Sequence, residues 1–159
     1  MIMQALLGNA VVTSTGYNAI KLIVTANGGG GNCYLPEWRI NTTAGTIPPN
    51  MTSNTAPSPY IASSSTGSAL AYRPFDGTNN TSETISAGLL PITYTLKFGA
   101  FYTVTSIDLT IQTLDIRTGM PKNFTVWLSS DNGTNWTLAK TVTNLLWPTT
   151  SMTNTITIP

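Results

Sequence analysis

Acidic side chains are the residues of this chain best suited to bind a metal ion. Histidine is missing from the 159 residues, and cysteine occurs once, as Cys33. The commonest general base and the commonest metal ligand are therefore both lacking. The available carboxylates are Glu37, Asp76, Glu83, Asp108, Asp115 and Asp131.

These six acids give no arrangement typical of a hydrolase. A glycosidase needs two carboxylates that face each other across a cleft. Asp131 instead opens an Asp-Asn-Gly turn, and Asp108 lies on the polar face of an alternating strand pattern. Cys33 has no second cysteine with which to form an intrachain disulfide. We therefore predict a binding protein and not an enzyme.

Composition favours one domain built from strands and turns. Hydrophobic residues make up 41% of the chain and charged residues 8%, against roughly 25% charged residues in an average soluble protein. Much of the polar share is Thr, which favours strands, together with Asn, Gly and Ser, which favour turns. The net charge is +1 and no basic patch is evident, so we expect no nucleic-acid partner. No apolar run is long enough to cross a membrane as a helix, so we expect no membrane insertion.

Alternating apolar and polar residues predict the strands that must position any site. Residues 107–112 and 124–129 alternate strictly, which is typical of half-buried strands. Trp127 falls on the face opposite Phe124, where it belongs either to a second packed layer or to an exposed patch. No segment has a convincing helical period. Strands are predicted over 17–26, 34–40, 60–64, 92–98, 103–113, 122–129, 135–143 and 152–158.

Turn signals separate these stretches at the spacing expected of a β-sandwich or barrel. The glycines at 28–31 predict a flexible loop, and Pro36 predicts an edge position for the strand over 34–40. Residues 41–59, with four prolines, are predicted to be an extended loop inside the fold. We therefore expect residues 17–159 to form a single all-β domain.

Residues 1–16 form a small apolar leader ahead of this domain. One interpretation is an edge strand or a disordered tail; another, which we favour, is an N-terminal arm that docks on a neighbouring subunit. The leader lacks the basic region of a signal peptide, so we expect synthesis in a cytoplasm without export. A particle released by lysis, such as a bacteriophage, fits that expectation.

Three sequence blocks resemble the discoidin family (F5/8 type C domains), which includes the family 32 carbohydrate-binding modules. Ile61–Ser64 followed by Ala71–Gly77 is similar to the opening block of the family. Pro91–Gly99 followed by Val104–Leu109 is similar to the second block. Met120–Trp136 is similar to the third, which ends in "DG" and a tryptophan. The resemblance implies an antiparallel jelly-roll β-sandwich with a carbohydrate-binding-module-like function.

The N-terminal stretch resembles the strands that normally close this family's fold. Residues 20–29 and 35–40 look like the closing pair, yet here they precede the other blocks. The resemblance therefore implies a permuted order in which the usual last strand is supplied as the first one. Similar orders occur in modules of phage virion proteins.

A structural calcium ion is implied by the same resemblance. The matching positions are the side chains of Glu37, Asp76 and Thr81 and a carbonyl group at Arg73. The sequence departs from the family two residues after Thr81, where Glu83 stands in place of a tryptophan. An alternative interpretation is that Asp76 only caps a turn and Glu37 only pairs with Arg39 or a lysine.

Glycan contacts are expected on loops at one end of the sandwich, because aromatic rings and polar side chains together suit the apolar face and hydroxyls of a sugar. Trp136 matches a core tryptophan of the family, and Trp38 and Trp147 could also be packing residues. The candidates for sugar contacts are Tyr34, Tyr60, Tyr72, Arg73, Phe101, Tyr102 and Arg117.

We therefore predict a non-enzymatic virion accessory protein of a bacteriophage. It would act as a capsid decoration or cement protein, or as a tail-associated adhesion module. Its partners would be other virion proteins, host-surface glycans, or both, and it would work as a homo-oligomer or assembly subunit at the virion surface. The alternative is an extracellular, stand-alone bacterial carbohydrate-binding module or lectin.

Overall fold

The computed structural model describes residues 16–78, 83–111, 118–147 and 153–159, with the backbone alone described for 83–86. These residues form an all-β fold with only short 3₁₀ turns, such as Arg73–Phe75 and Ala87–Leu89. The predicted arm over 1–16 lies outside the described residues except for Gly16. The strands are Tyr17–Asn27 (β1), Asn32–Leu35 (β2), Glu37–Thr42 (β3), Gly45–Ile47 (β4), Ile61–Ser64 (β5), Glu83–Ser86 (β6), Ile92–Tyr102 (β7), Val104–Thr110 (β8), Pro121–Ser129 (β9), Thr137–Val142 (β10) and Thr153–Thr157 (β11).

Two antiparallel sheets make up the sandwich. One has five strands in the order β10-β9-β1-β7-β5, and the other has four in the order β11-β8-β3-β4. A separate ribbon pairs β2 with β6. The prediction of an all-β fold of sandwich type is therefore confirmed.

Strand β1 occupies the middle of the five-stranded sheet. It pairs antiparallel with β7, where Leu22 lies opposite Tyr94, and with β9, where Leu22 lies opposite Val126. Ile20, Leu22 and Val24 are fully buried, whereas Lys21 and Ile23 between them are only half-buried. The alternation in β1 therefore sends one set of side chains into the core and the other to the outer face.

The core lies between the two sheets and is built from the inward residues of both. The second sheet supplies Trp38 and Ile40 from β3 and Ile107 and Leu109 from β8, all fully buried. Burial alternates as predicted over residues 107–111 and 124–128, whereas Ser129, predicted to face outward, is buried, and Gln112 lies outside the described residues. Trp127 lies on the side of β9 opposite the core and is half-buried.

The segment 34–47 differs from the sequence prediction in two ways. Pro36 falls between β2, which pairs only with β6, and β3, which lies between β8 and β4, so the predicted edge position holds for β2 but not for β3. The chain can leave one sheet and enter another at Pro36 because proline cannot donate to a strand ladder.

The loop predicted over 41–59 also contains a strand. Residues 42–45 form a tight turn that pairs β4 with β3, and Gly45 there has a φ of 122°. The Thr42 hydroxyl donates to the Gly45 carbonyl at 2.7 Å. The signal for this hairpin was Ala44-Gly45, since glycine adopts positive φ without steric cost.

We predict that Leu22→Ala lowers the free energy of unfolding by about 2–5 kcal/mol, because it leaves a cavity under the central strand. Denaturant unfolding measures this change. Thr141→Ala, at an exposed position of edge strand β10, is the control and should change stability by less than about 0.5 kcal/mol. Equal losses for the two variants would contradict the central role of β1.

Candidate functional site

A buried carboxylate marks the first candidate site, at the start of β3. The Glu37 side chain is only 4% exposed, and its Oε1 atom lies 3.0 Å from the Arg39 Nε atom. The same oxygen accepts a hydrogen bond of 3.0 Å from the Gly77 backbone amide. Its second oxygen, Oε2, is buried and has no hydrogen-bond partner among the described residues. Glu37 is therefore a buried acid with one unsatisfied oxygen.

The loop that carries Asp76 is held against β3 by packing and backbone hydrogen bonds. The Phe75 ring lies 5.1 Å from the Trp38 ring, centroid to centroid, and both side chains are fully buried. The Met51 amide donates to the Phe75 carbonyl at 2.9 Å. The 3₁₀ turn over Arg73–Phe75 thus presents the next residues, Asp76 and Gly77, to Glu37.

Asp76 shapes a tight turn in addition to lying near Glu37. Its Oδ1 atom accepts hydrogen bonds from the backbone amide and the hydroxyl of Thr78. Gly77 has a φ of 79°, and a Cβ atom there would lie 2.3 Å from the Asn50 side-chain oxygen. The positive φ and the close approach of Asn50 both favour glycine at this position.

Arg39 neutralises part of the charge in this cluster. Its guanidinium group contacts Glu37 and also donates to the Asn50 side-chain oxygen at 2.7 Å and to the Pro48 carbonyl at 3.1 Å. The structure therefore contains the ion pair between Glu37 and Arg39 that the sequence suggested. The pair engages only one of the two carboxylate oxygens of Glu37.

The pKa of the Glu37 carboxyl is raised to about 7, mainly by burial, and the nearby Asp76 charge acts in the same direction. Arg39 and the Gly77 amide act in the opposite direction but are outweighed by desolvation. A cation that contacted Oε2 would favour the charged form of this carboxyl.

The described residues fit a calcium ion in donor chemistry. The set comprises a buried Glu37 oxygen without a partner, the Asp76 carboxylate and the Arg73 carbonyl, which accepts one weak hydrogen bond of 3.3 Å from Asp76. Calcium accepts such mixed sets of carboxylates and carbonyls. In the described parts of the chain, no three His, Cys, Asp or Glu side chains cluster as a metal site. Thr81 lies outside the described residues.

Three of the glycan candidates lie where β7 turns into β8. The buried Tyr60 contacts Tyr102, and burial together with that hydrogen-bonding contact raises the pKa of Tyr60 to about 12. Tyr102 packs edge-on against Phe98 with a centroid distance of 5.9 Å. The neighbouring Phe101 is 48% exposed. This end of the sandwich therefore presents one open aromatic ring, Phe101, beside two that are largely engaged in packing.

Tyr34 lies at the other end of the molecule. The Asn27 side chain, at the end of β1, donates to the Asn32 carbonyl at 2.7 Å, which ties β2 to that end. Tyr102 pairs with Tyr17 at the start of β1, roughly 30 Å away along an 11-residue strand. The Tyr34 ring packs against Gly119, where a Cβ atom would lie 2.2 Å from the ring.

The remaining glycan candidates join neither the cluster of Tyr60, Phe101 and Tyr102 nor Tyr34. Tyr72 and Arg73 are half-buried at the 3₁₀ turn, and the Tyr72 amide donates to the Asn54 side chain at 2.9 Å. Arg117 lies outside the described residues. The structure therefore brings Tyr60, Phe101 and Tyr102 together but does not gather all the described candidates into one site.

Sequence reasoning missed an aromatic and basic surface on the outer face of the five-stranded sheet. The Lys21 Nζ atom lies 4.4 Å from the Trp136 ring centroid and 5.3 Å from the Trp127 ring centroid. Trp136, predicted to be a core residue, is instead half-buried on this face. The strict alternation in β1 and β9 was the available signal, because it sends Lys21 and Trp127 outward together.

A rigid turn holds Trp136 over this surface. Asp131 accepts hydrogen bonds from the Ser129 hydroxyl, the Thr134 amide, and both the amide and the side chain of Asn135. The bonds to Asn135 and Ser129 hold the Asp131 pKa at about 2. Asp131 therefore holds Thr134 and Asn135, the two residues that precede Trp136, in a fixed turn.

Cys33 is buried, and burial raises the pKa of its thiol to about 11, so the thiol is unsuited to act as a nucleophile. Within the described ranges, no helix is both long and apolar enough to span a membrane.

Comparison of the sequence with protein-family models and curated proteins, and of the structure with solved structures, finds no match.

We predict that stability falls as the pH rises from about 5 to 8 in the presence of a chelator, and that Glu37→Gln flattens this dependence. The folded pKa of about 7 lies above the ordinary value of 4.5, so the folded state retains a proton that the unfolded state releases over this range. Urea unfolding at several pH values measures the effect. Asp131→Asn is the control, since its pKa of about 2 lies below this range. A wild-type profile that Glu37→Gln leaves unchanged would contradict the assignment to Glu37.

Proposed function

We propose that this chain is a non-enzymatic accessory protein of a bacteriophage virion, with a discoidin-like fold that adheres to glycans. The observation that carries the proposal is the display of aromatic rings beside polar groups on a rigid sandwich, with Phe101 48% exposed and Trp127 and Trp136 half-buried. Aromatic faces pack on the apolar side of a sugar ring, while polar neighbours fix its orientation. The resemblance of residues 61–136 to carbohydrate-binding modules supports the same ligand class.

The discoidin-like jelly roll with a permuted first strand belongs to this proposal. Its support is the position of β1 between β7 and β9 and of β3 between β8 and β4. The segments that resemble the family's closing strands are therefore interior strands, as the last strands of a closed sandwich would be. Each is paired antiparallel on both sides.

The absence of catalysis is proposed on chemical grounds. Among the described acids, Glu37 is buried in an ion pair, and Asp131 is fully engaged in a turn. Asp108 accepts hydrogen bonds from Asn41 and Thr155 on neighbouring strands. Structural contacts therefore account for these three carboxylates, which weakens the case for a pair acting across a cleft.

A virion role follows from the apolar leader, residues 1–16, which we propose docks on a neighbouring subunit at the virion surface. Capsid decoration and tail-associated adhesion are both consistent with such an arm. The alternative is a stand-alone bacterial carbohydrate-binding module, which would bind glycans as a monomer in an extracellular setting.

A structural calcium ion is part of the proposal. Glu37, Asp76, the Arg73 carbonyl and Thr81 would hold it, and it would supply positive charge that fixes the Asp76 loop against β3. The buried, unpartnered Oε2 atom of Glu37 supports this assignment.

We predict that millimolar calcium raises the thermal unfolding midpoint by several degrees at pH 8, because a ligand that binds only the folded state stabilises it. Glu37→Gln should abolish this shift, whereas Asp131→Asn, which alters a distant turn, should retain it. Thermal unfolding monitored by circular dichroism, with chelator, calcium or magnesium added, makes the comparison. An identical midpoint with calcium and with chelator would remove calcium from the proposal.

A glycan array with the full chain tests adhesion. We expect binding to at least one glycan class, and weaker binding after Phe101→Ala or Trp127→Ala because each variant removes an aromatic face. Lack of binding to every glycan on the array would leave a purely structural virion role. Binding that survives both substitutions would place the glycan elsewhere on the molecule.

Protease protection distinguishes the virion role from the free module. In a virion, the leader should be cleaved in the isolated protein and protected in the particle. A chain lacking residues 1–16 that still binds glycans as a monomer, but is found on no particle, would favour the free module.

A further inference from the structure

The outer face of the five-stranded sheet combines two indole rings with two ammonium groups. Lys21 lies under Trp136 and beside Trp127, with its Nζ atom 4.4 Å and 5.3 Å from the two ring centroids. Lys97 is the diagonal neighbour of Lys21 on β7, since Lys21 pairs with Thr95. We call the patch of Lys21, Lys97, Trp127 and Trp136 the lysine–tryptophan face.

The register of the strands explains why these residues share one face. Lys21 lies directly opposite Trp127 on β9 and opposite Thr95 on β7. Trp136 reaches the same face from the β9–β10 turn. Its ring packs on Gly133, where an added Cβ atom would lie 3.1 Å from the ring. The Lys97 side chain approaches the same glycine, with its Cε atom 3.7 Å from that Cβ position.

Charge on the two sheets is distributed unequally. All four lysines of the chain lie on strands of the five-stranded sheet: Lys21, Lys97, Lys122 and Lys140. The five strands of that sheet contain no Asp or Glu, whereas the four-stranded sheet carries Glu37 and Asp108. Among the described residues, no carboxylate lies within ion-pair distance of Lys21 or Lys97. The lysine–tryptophan face therefore carries two positive charges, and the nearby Asp131 in the β9–β10 turn is engaged in hydrogen bonds within that turn.

The two tryptophan rings already contact Lys21, and this contact orders the ammonium group. Cation–π attraction holds the Lys21 stem and head against the rings. The Trp127 ring nitrogen donates to the Thr125 hydroxyl at 2.9 Å, which fixes the ring on the surface of the sheet. An incoming ligand therefore meets a preordered charge beside fixed aromatic surfaces, which reduces the entropy lost on binding.

We propose that the lysine–tryptophan face binds an acidic polysaccharide, in which uronic acid carboxylates meet Lys21 and Lys97 while sugar rings pack on Trp127 and Trp136. The threonines that alternate outward between them add hydroxyl groups suited to a chain of sugars. This inference rests on the proposed glycan adhesion and names its ligand class and its surface. It places the ligand on the middle of the sheet face and not at the end of β7, where Phe101 lies.

Charge complementarity favours this ligand over the other possible occupants. A second copy of the chain would bring two like-charged lysine–tryptophan faces together, which is unfavourable. A nucleic acid requires a larger set of phosphate contacts than the two outward lysines provide. A short acidic oligosaccharide matches both the small number of charges and the aromatic surface.

The experiment titrates the full chain with tetragalacturonate and with its methyl ester, followed by tryptophan fluorescence and calorimetry. We expect a fluorescence change and saturable binding with tetragalacturonate, and binding about tenfold weaker with the ester, because esterification removes the carboxylate charge. Rising salt should weaken the binding of the acid more than that of the ester. Equal binding of the two oligosaccharides would overturn the proposal.

Three variants locate the site. Lys21→Gln should weaken tetragalacturonate binding about tenfold, and Lys21→Arg should restore most of it because the positive charge returns. Lys140→Gln, at an exposed position of edge strand β10, is the matched control and should bind like the wild type. Circular dichroism confirms that each variant is folded. Unchanged affinity in a folded Lys21→Gln variant would exclude this face.

The outcomes separate this inference from the general function. Binding of neutral glycans that depends on Phe101, without binding of tetragalacturonate, would overturn the lysine–tryptophan face and keep glycan adhesion. Tighter binding of a single-stranded oligonucleotide than of tetragalacturonate would overturn the ligand class. A folded protein that binds no saccharide at all would overturn both proposals.

Discussion

Hydrogen bonding along both edges of β1 is the constraint on which the rest of this structure depends. The strand pairs with β7 and β9, so three segments far apart in sequence are fixed in one register. A shift of one residue would exchange Leu22 with Lys21 and place a charge in the core. The same register that builds the core therefore also assembles the outer face. Packing and surface chemistry in this molecule are two consequences of one pairing.

In the second sheet, too, core packing determines the chemistry of a neighbouring polar residue. Trp38 on β3 fills the core and stacks on Phe75, while its neighbour Glu37 is drawn into the buried layer with it. Burying a carboxylate is costly unless charge and hydrogen bonds compensate. Arg39 and the Gly77 amide compensate one oxygen only, so the start of β3 retains a carboxylate oxygen without a hydrogen-bond partner among the described residues. Core packing thus buries a carboxylate oxygen at an energetic cost, and a cation at this position would offset that cost.

Much of the fold could be predicted from the sequence because alternation reports burial directly. Residues 107–110 and 124–128 lie in half-buried strands, as their pattern indicates. The short strands β4 and β6 could not be predicted, because three or four residues give too little period to detect. The lysine–tryptophan face could be predicted only in part: alternation sends Lys21 and Trp127 outward, but Trp136, more than a hundred residues from Lys21, joins them only because β1 pairs with β9. Trp136 was assigned to the core because it matches a core tryptophan of the discoidin family, but it is half-buried on the outer face.

The turn at Asp131 gives the molecule two regions with different responses to acid. Its carboxylate accepts several hydrogen bonds, and its pKa of about 2 keeps it ionised in any mildly acidic medium. Glu37, with a pKa of about 7, gains a proton over that same range. Mild acidification therefore changes the charge at the start of β3 while leaving the hydrogen bonds that support Trp136 intact. The buried site at Glu37 and the turn at Asp131 respond to acid independently of each other.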